Sequence, residues 1–196
     1  MKNTFSKGFT LVELLIVITI LAALAAAVVV VLNPAELLAQ ARDAQRLSDM
    51  TTMRDAINLY ISQVAAPNLC LGTPAGNACS TGHCTAGIAG PFAVACTTNS
   101  SRVITGGGWV GVNFGVMPGG SPIAVLPIDP VNAGSFFYAF RGTAVRTFEL
   151  ATRLESIRHR GMMAADGGNS QACTTFVEQG TPALSCYFEV GTNLAL

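Results

Sequence analysis

KGFTLVELLIVITI, residues Lys7–Ile20, places one carboxylate, Glu13, near the start of a long apolar run that follows a short basic leader. Within Phe9–Leu32, Glu13 is the only charged residue. A helix over this run is about 36 Å long at about 1.5 Å per residue, enough to cross a bilayer core of about 30 Å. A charge at the centre of such a span costs about 2.5–3.5 kcal/mol on insertion scales. Because no basic residue lies one helical turn from Glu13 on its apolar side, we expect its partner to be a terminus, another chain or a proton.

The stretch KGFTLVE, residues Lys7–Glu13, resembles the processing site of type IV pilins and of the pseudopilins of type II secretion. The resemblance implies that a membrane aspartyl peptidase cuts between Gly8 and Phe9 and that the new amine of Phe9 is N-methylated. It also implies that Glu13 pairs with the Phe9 amine of a neighbouring subunit during filament assembly. Such a pair relieves two desolvated charges at once. The alternative is that Glu13 is tolerated near the membrane interface and reaches out to water.

A secretory signal peptide is another interpretation of the apolar run. Ala25-Ala26-Ala27 could mimic a cleavage site, but Val28–Leu32 continues the run beyond it. Two lysines precede the span and two arginines follow it closely, so basic residues do not set its orientation. The resemblance to pilins implies a single-pass precursor in the cytoplasmic (inner) membrane with its globular domain outside. The subunit would then enter an extracellular pilus or a periplasmic pseudopilus.

Charge excludes a bulk attraction to nucleic acid. The chain is 51% hydrophobic and 11% charged, with a formal net charge of zero. Both lysines, Lys2 and Lys7, lie in the leader, and removing them from the 11 basic residues leaves nine against 11 acidic ones. The processed chain is therefore slightly acidic, and we expect no nucleic-acid partner outside a DNA-uptake role.

Asn33-Pro34 interrupts the predicted helix, because proline cannot donate the backbone bond to Val30 and its ring crowds that turn. We expect a kink or a locally melted turn there, since strong helix formers resume and continue to Ala66-Pro67. Apolar residues recur every three to four positions and predict one buried stripe: Leu47, Met50, Met53, Ile57, Tyr60 or Ile61, and Val64. The other faces are expected to carry the charged residues: Arg42, Asp43, Arg46, Asp49, Arg54 and Asp55.

After the helix, Pro67 to about Ser100 is rich in small, turn-forming residues and predicts a long surface loop. Several β-like runs separated by Gly- and Pro-containing turns follow: Arg102–Thr105, Trp109–Val116, Ile123–Leu126, Ser135–Arg141, Val145–Thr152, Thr174–Glu178 and Ser185–Val190. The segment Leu126–Asn132, followed by Phe137–Phe140 and Phe148–Leu150, resembles the antiparallel hairpin of major pseudopilins and related pilins.

The two resemblances imply an α+β pilin fold, with a long N-terminal α-helical spine, transmembrane in its first half, packed on an antiparallel β-sheet domain. We divide the chain into five segments: the leader at residues 1–8, a transmembrane or filament-core helix at 9–32, the amphipathic half of the spine at 33–65, a Cys-rich variable loop at 66–100, and the β-domain at 101–196 with a C-terminal disulfide loop.

Six cysteines lie outside the span: Cys70, Cys79, Cys84, Cys96, Cys173 and Cys186. An even count in an exported domain predicts three disulfides, and six cysteines allow 15 pairings. Proximity in the sequence favours Cys70–Cys79, Cys84–Cys96 and Cys173–Cys186, the last of which would close a terminal loop as in many pilins. His83 beside Cys84 also suggests zinc, but the spacing matches no common zinc module and an oxidising compartment would consume the thiols. We therefore expect disulfides and no metal.

Three weaker motifs have plain structural interpretations. Gly106–Gly111 fits G-x-G-x-x-G, but strand and turn residues follow it, so we expect a turn or bulge. Asp166–Asn169 lies where major pseudopilins carry a calcium-binding loop, yet no full oxygen ligand set is legible, and a turn with no cofactor is preferred over calcium. A basic cluster predicts a solvated loop or a subunit contact rather than a DNA contact: Arg153, Arg158, His159 and Arg160.

The sequence thus predicts a nonenzymatic structural subunit of a type IV pilus-like filament. Its expected partners are copies of itself and related pilins, the prepilin peptidase/N-methyltransferase, a pilus or secretion assembly platform, and the membrane. The alternatives are a pseudopilin of type II secretion and a minor pilin that acts in adhesion or DNA uptake. His83 and His159 are the only histidines, and no orienting partner for a Cys–His nucleophile is legible.

Overall fold

The computed structural model describes residues 8–70, 82–86, 91–92, 96–169 and 186–196. The chain divides into two units, Met1–Leu38 and Ala39–Leu196. The first unit contains helix α1, Leu11–Leu32, whose side chains are exposed wherever they are described. Leu11–Val29 has a mean hydropathy of 2.8, and within the described residues it is the one helix long and apolar enough to span a membrane.

Asn33 ends α1 in the left-handed region, with φ of 38°, and Pro34 begins helix α2, Pro34–Gln63. Proline suits the first position of a helix, because its missing N–H has no partner within the helix there. The amides of Glu36 and Leu37 donate to the Asn33 carbonyl and start the new helix at 3.0 and 3.3 Å. The interruption predicted at Asn33-Pro34 is therefore a break of one residue.

The buried face of α2 confirms the predicted apolar stripe and extends it with two charged residues. Met50, Met53 and Ile57 are fully buried, and Ile61 and Val64 pack at the edge of the same core. Asp43 and Arg46 were expected on an outer face, and that expectation is wrong because both are fully buried. They continue the stripe toward the N-terminus of α2 at the same spacing of three to four residues.

In its described residues, the second unit contains a five-stranded sheet in the order β2-β1-β3-β4-β5. The strands are β1 at Gly82–Cys84, β2 at Cys96–Thr98, β3 at Tyr138–Gly142, β4 at Phe148–Thr152 and β5 at Phe188–Gly191. The predicted β3–β4 hairpin is confirmed, with Phe140 opposite Leu150. Neighbouring strands are antiparallel except β1 and β2, which pair in parallel. The α+β class is confirmed, with a mixed rather than a wholly antiparallel sheet.

Strands β1 and β2 correct the prediction of a continuous surface loop between Pro67 and Ser100. Each has only three residues, too few to show an alternating pattern. β1 joins the sheet through pairs such as Cys84 with Ala139. Long-range pairing with β3 therefore creates the strand, and nothing in its local sequence could predict it.

Three predicted strands are wrong: Arg102–Thr105, Trp109–Val116 and Ile123–Leu126. Their residues form turns, an isolated bridge between Thr105 and Asn113, and a short 3₁₀ turn at Phe114–Val116. Five of their apolar side chains are buried in the core that includes α2: Trp109, Val110, Val112, Phe114 and Leu126. The apolar pattern there indicates burial without a strand ladder. The predicted strand Thr174–Glu178 lies outside the described residues.

The Gly106–Gly111 stretch is a turn, as predicted. Gly106 has φ of 90°, and a Cβ on Gly108 would overlap the carbonyl oxygen of Val103. The amide of the buried Trp109 donates to Ser101, and its indole Nε1 donates to Pro127 at 2.8 Å. These glycines therefore allow close backbone packing around the buried indole.

The sheet has two different faces. Tyr138, Phe140, Phe148 and Leu150 face the core shared with α2. On the opposite face, β3 and β4 carry Ala139 and Ala151 in a second apolar cluster. The same face carries the polar side chains described below: Arg141 on β3, Glu149 on β4 and Glu189 on β5.

Candidate functional site

Thr10 and Glu13 form a capping box at the start of α1. The Glu13 amide donates to Thr10 Oγ1 at 3.2 Å, and the Thr10 amide and hydroxyl both donate to Glu13 Oε2 at 3.1 Å. This corrects the expectation that only a terminus, another chain or a proton could partner Glu13. The sequence contains the signal for this cap, because Thr followed by Glu three residues later, ahead of an apolar run, is the capping-box pattern.

Glu13 also lies in the first turn of α1, where the amide groups of the helix create a partial positive charge. That position stabilises a carboxylate by about 0.3–1 kcal/mol at an exposed site. The cap and the dipole orient the Glu13 carboxylate without supplying a full opposite charge. Glu13 therefore remains a suitable partner for an external cation.

The chain before the helix is open to other molecules. Gly8, Phe9 and Thr10 are exposed, and Phe9 as a whole residue is 87% exposed. A Cβ placed on Gly8 would meet nothing within 4 Å. The Gly8–Phe9 peptide bond thus lies in accessible, nonhelical backbone just ahead of the capped helix.

The surface of α1 is a continuous apolar cylinder that water would solvate poorly. Its large side chains are at least 49% exposed: Leu11, Val12, Leu14, Leu15, Ile16, Val17, Ile18, Ile20, Leu21, Leu24, Val28, Val29, Val31 and Leu32. A helix that is apolar all round is covered in its working state by lipid or by other protein. In this helix the one charged side chain is Glu13.

Comparison with known proteins supports the same segment. Residues 4–29 match the prokaryotic N-terminal methylation motif. This is the class III signal peptide motif of type IV pilins and pseudopilins. The predicted resemblance is confirmed. No curated protein and no solved structure is significantly similar to the chain. The motif supports a pilin-like or pseudopilin subunit whose precursor is anchored in the membrane and processed by prepilin peptidase. Proteins that carry this motif as pilin precursors are structural.

A second polar group, which the sequence did not predict, surrounds Arg46 on α2. Its guanidinium binds Asp129 through two hydrogen bonds, and Asp43 and Glu155 at 2.9 and 3.0 Å, and it lies over the Phe136 ring. Burial opposes the charge of Arg46, but the bonds to these carboxylates outweigh it and raise the pKa of the guanidinium. This cluster ties α2 to the loop after Leu126 and to the turn after β4.

Asp43, Ser156 and His159 lie together, but their geometry does not match a hydrolytic triad. Ser156 Oγ and Asp43 Oδ2 approach the same ring nitrogen of His159, Nδ1, at 3.1 and 3.8 Å. A Ser-His-Asp triad requires the serine and the carboxylate on opposite ring nitrogens. Asp43 instead accepts the amides of Glu155 and Ser156 and caps this turn.

The expected surface cluster of basic residues is wrong for Arg153. Its side chain is fully buried, lies 4.9 Å from the Tyr187 ring centroid and donates to the carbonyl of Cys186 at 3.2 Å. Arg158 is exposed, and His159 and Arg160 are half-buried. The four residues therefore do not share one solvated surface.

Cys84 and Cys96 form a disulfide that joins β1 to β2, with their Cα atoms 5.8 Å apart. Cys70 and Cys186 are also disulfide-bonded. The pairings favoured for them involve Cys79 and Cys173, which lie outside the described residues. His83 is buried next to Cys84, and burial lowers its pKa. The described residues contain no group of three or more side chains suited to hold a metal ion.

The segment Asp166–Asn169 forms a turn whose acidic side chain is used internally. Asp166 Oδ1 accepts the Gly168 amide at 3.0 Å, and Oδ2 accepts the Glu189 amide at 2.8 Å. Gly167 has φ of 90°, which favours glycine. The turn predicted there is confirmed.

Proposed function

We propose that the chain is a structural subunit of a type IV pilus-like filament, anchored in the membrane before assembly and polymerised through α1. The observation that carries the proposal is the methylation motif at residues 4–29, with Glu13 held at the start of a membrane-length apolar helix. Neither feature alone requires a filament. Together they favour one, because a plain membrane anchor needs no oriented carboxylate.

Phe9 and Glu13 take complementary roles in this proposal. Cleavage after Gly8 gives Phe9 a positive α-amine, and the Glu13 carboxylate of a neighbouring subunit neutralises it. Both charges are costly in hydrocarbon when alone, and pairing relieves both. Thr10 holds the carboxylate in one orientation through its amide and hydroxyl. A fixed carboxylate accepts only one axial position of the incoming amine, so the pair sets the stagger between subunits.

The exposed apolar surface of α1 supports the same assignment. Lipid covers it in the precursor, and neighbouring α1 helices replace the lipid in a filament. Moving an apolar helix from lipid to other helices gains little from hydrophobicity, so van der Waals packing must supply the affinity. An assembly platform that consumes energy is therefore expected as a partner.

The experiment uses the distribution of lysines in the chain. Lys2 and Lys7 are its only lysines, so removal of residues 1–8 leaves the Phe9 α-amine as the sole amine. Material sheared from cells is labelled with an amine-reactive reagent and measured by intact mass. We expect a chain that starts at Phe9, carries one methyl group and takes label only at its N-terminus. Retention of residues 1–8, or recovery only as a soluble monomer, would overturn the proposal.

A pseudopilin of type II secretion carries the same motif and is the second candidate. Electron micrographs of sheared and unsheared cells separate the two. Long surface fibres that contain the processed chain favour the pilus. Processed chain that remains with the cell envelope, without surface fibres, assigns it to a periplasmic pseudopilus.

A further inference from the structure

Two buried carboxyl groups lie side by side on the sheet face that points away from α2. Glu149 on β4 is fully buried, and Glu189 on β5 is 2% exposed. In the antiparallel register Glu149 faces Gly191 and Ala151 faces Glu189, so the two acids are diagonal neighbours on one face. Burial, and after it the neighbouring Glu189, raises the pKa of the Glu149 carboxyl.

The charges around this pair do not balance. Arg141 on β3 lies directly opposite Glu149, but its Nη1 donates to the main-chain oxygen of Leu196. Asp166, in the turn packed against β5, adds a third carboxylate and accepts the Glu189 amide. Among the side chains of the described residues, three acids thus face one base. Ionising all three would place excess negative charge in a buried site, and one bound proton reduces that excess.

The donors around Glu149 support a shared proton. The Leu196 amide donates to Glu149 Oε2 at 2.9 Å. No N–H or O–H of the described residues donates to Glu149 Oε1, which is also buried. A buried carboxyl oxygen without a donor is costly. A proton held between Glu149 and Glu189 supplies a donor to Oε1 that the described residues do not.

The pair is covered by two segments that close over it. One is the C-terminal tail, residues 192–196, anchored through Leu196 to Glu149 and Arg141. The other is the turn at residues 166–169, where a Cβ on Gly168 would overlap the Glu189 carboxylate. The Asn169 amide donates to the Leu194 carbonyl at 3.0 Å and joins the two segments.

We propose that Glu149 and Glu189 form a proton-operated latch for the C-terminal tail. With one proton shared, the pair accepts the Leu196 amide and the tail stays on the sheet. When that proton passes to solvent, two adjacent carboxylates repel each other beneath the tail, and the tail and the 166–169 turn open together. The latch does not depend on filament assembly. Burial, together with Glu189, raises the pKa of Glu149 to about 8, which places the opening in mildly alkaline solution.

The test is hydrogen–deuterium exchange of the full chain in detergent micelles between pH 6 and pH 10, read by mass spectrometry. Wild type is compared at each pH with Glu149→Gln and Glu189→Gln, because the intrinsic pH dependence of exchange cancels in the ratio. Asp55→Asn, which removes a solvent-exposed carboxylate, is the matched control. Each solution is measured with and without a calcium chelator.

We expect the tail peptides of wild type and both Gln variants to exchange alike at the acidic end. Between pH 6 and about pH 8 the wild-type tail should exchange faster relative to the Gln variants by up to about tenfold per pH unit, because the closed form binds one more proton than the open form over this interval, and above about pH 8 the ratio should level off. Asp55→Asn should follow wild type. A ratio of wild-type to Gln-variant exchange rates that stays constant over the whole pH range overturns the latch. A pH-dependent change in that ratio that the chelator creates or removes also overturns it. If either Gln variant unfolds, the exchange of wild type alone is used. An increase with pH that is confined to residues 166–169 and 192–196 supports the latch, and an increase in all peptides overturns it.

Discussion

The Arg46 guanidinium binds the Asp129 carboxylate through two parallel hydrogen bonds, Nε to Oδ2 at 2.7 Å and Nη2 to Oδ1 at 3.1 Å, with both side chains fully buried. The two residues are 83 positions apart. Asp129 also accepts the amides of Val131 and Asn132 and so fixes the turn that follows Leu126. One ion pair thus positions α2 against the loop that carries the core residues of the second unit.

The first prediction is that Arg46→Met destabilises the fold by about 3–5 kcal/mol, the usual cost of leaving a buried charge without its partner. The variant leaves the buried carboxylates of Asp43 and Asp129 without the Arg46 cation. It also removes one of the two cations that bind Glu155. Asp129→Asn should cost less, because Arg46 then keeps two of its three carboxylates. Urea unfolding of the full chain in detergent, followed by the fluorescence of the buried Trp109, measures both.

Arg54→Met is the matched control for that measurement. Arg54 lies on the same helix and pairs with Asp55, but both side chains are substantially exposed. Exposed pairs contribute about 0–1 kcal/mol. Equal losses for Arg46→Met and Arg54→Met would show that the buried cluster does not hold α2 to the sheet.

The second prediction concerns the pH dependence of stability. Burial raises the pKa of Glu149 to about 8, above its ordinary value of 4.5. The native state therefore binds more protons than the unfolded state between these values, and this contribution to stability is full below pH 4.5 and lost as pH rises through 8. Wild type should lose unfolding free energy between pH 6 and pH 9, while Glu149→Gln should lose much less. A wild-type curve parallel to that of Glu149→Gln over this interval would contradict the prediction.

The sequence predicted those elements whose pattern is local. The periodicity of Met50, Met53 and Ile57 predicted the buried face of α2. The β-like runs around Phe140 and Leu150, with their resemblance to a hairpin of major pseudopilins, predicted the β3–β4 hairpin. The buried positions of Asp43 and Arg46 were assigned outward because charged residues are seldom buried alone. Their partners Asp129 and Glu155 lie more than 80 residues away, and no local pattern pairs them.

The sequence also predicted part of the candidate assembly site. Gly8, Phe9 and Glu13 follow from the methylation motif, whereas the role of Thr10 was missed although its capping pattern stands in the same motif. Strand β1 could not have been found, because Gly-His-Cys becomes a strand only when the distant β3 supplies its backbone partners. The sequence thus identifies a surface that one local motif forms. It does not identify a surface that forms only through contacts between distant residues.

The third prediction is that the double variant Cys84→Ser/Cys96→Ser loses about 3 kcal/mol of unfolding free energy, the chain-entropy value for closing a loop of this size. The two strands that this disulfide joins have three residues each, so few other contacts would hold β2 at the sheet edge. The loss should appear under oxidising conditions and vanish when wild type and variant are compared in excess reductant. A difference that persists in reductant would assign the effect to packing rather than to the crosslink.

The fourth prediction addresses Glu13 in cells. Glu13→Ala should leave membrane insertion and leader cleavage intact but remove the subunit from filaments, because the Phe9 amine of a neighbour then enters hydrocarbon unpaired. Immunoblots of the membrane and sheared fractions, with the N-terminus checked by mass, measure this separation. Thr19→Val is the control, since Thr19 is a polar residue of the same helix whose hydroxyl donates to the Ile16 carbonyl one turn before it. A normal filament yield for Glu13→Ala would refute its role in assembly.

The fifth prediction separates the position of the Glu13 carboxylate from its charge. Thr10→Val removes the hydroxyl bonds in both directions, a loss of about 0.5–2 kcal/mol for a helix cap, but leaves the charge and the Thr10 amide bond. Filament yield should therefore fall less than in Glu13→Ala, and Thr10→Ser should restore it because serine keeps the capping oxygen. If Thr10→Val and Thr10→Ser behave alike, the hydroxyl does not orient the carboxylate, and the charge of Glu13 alone determines the contact.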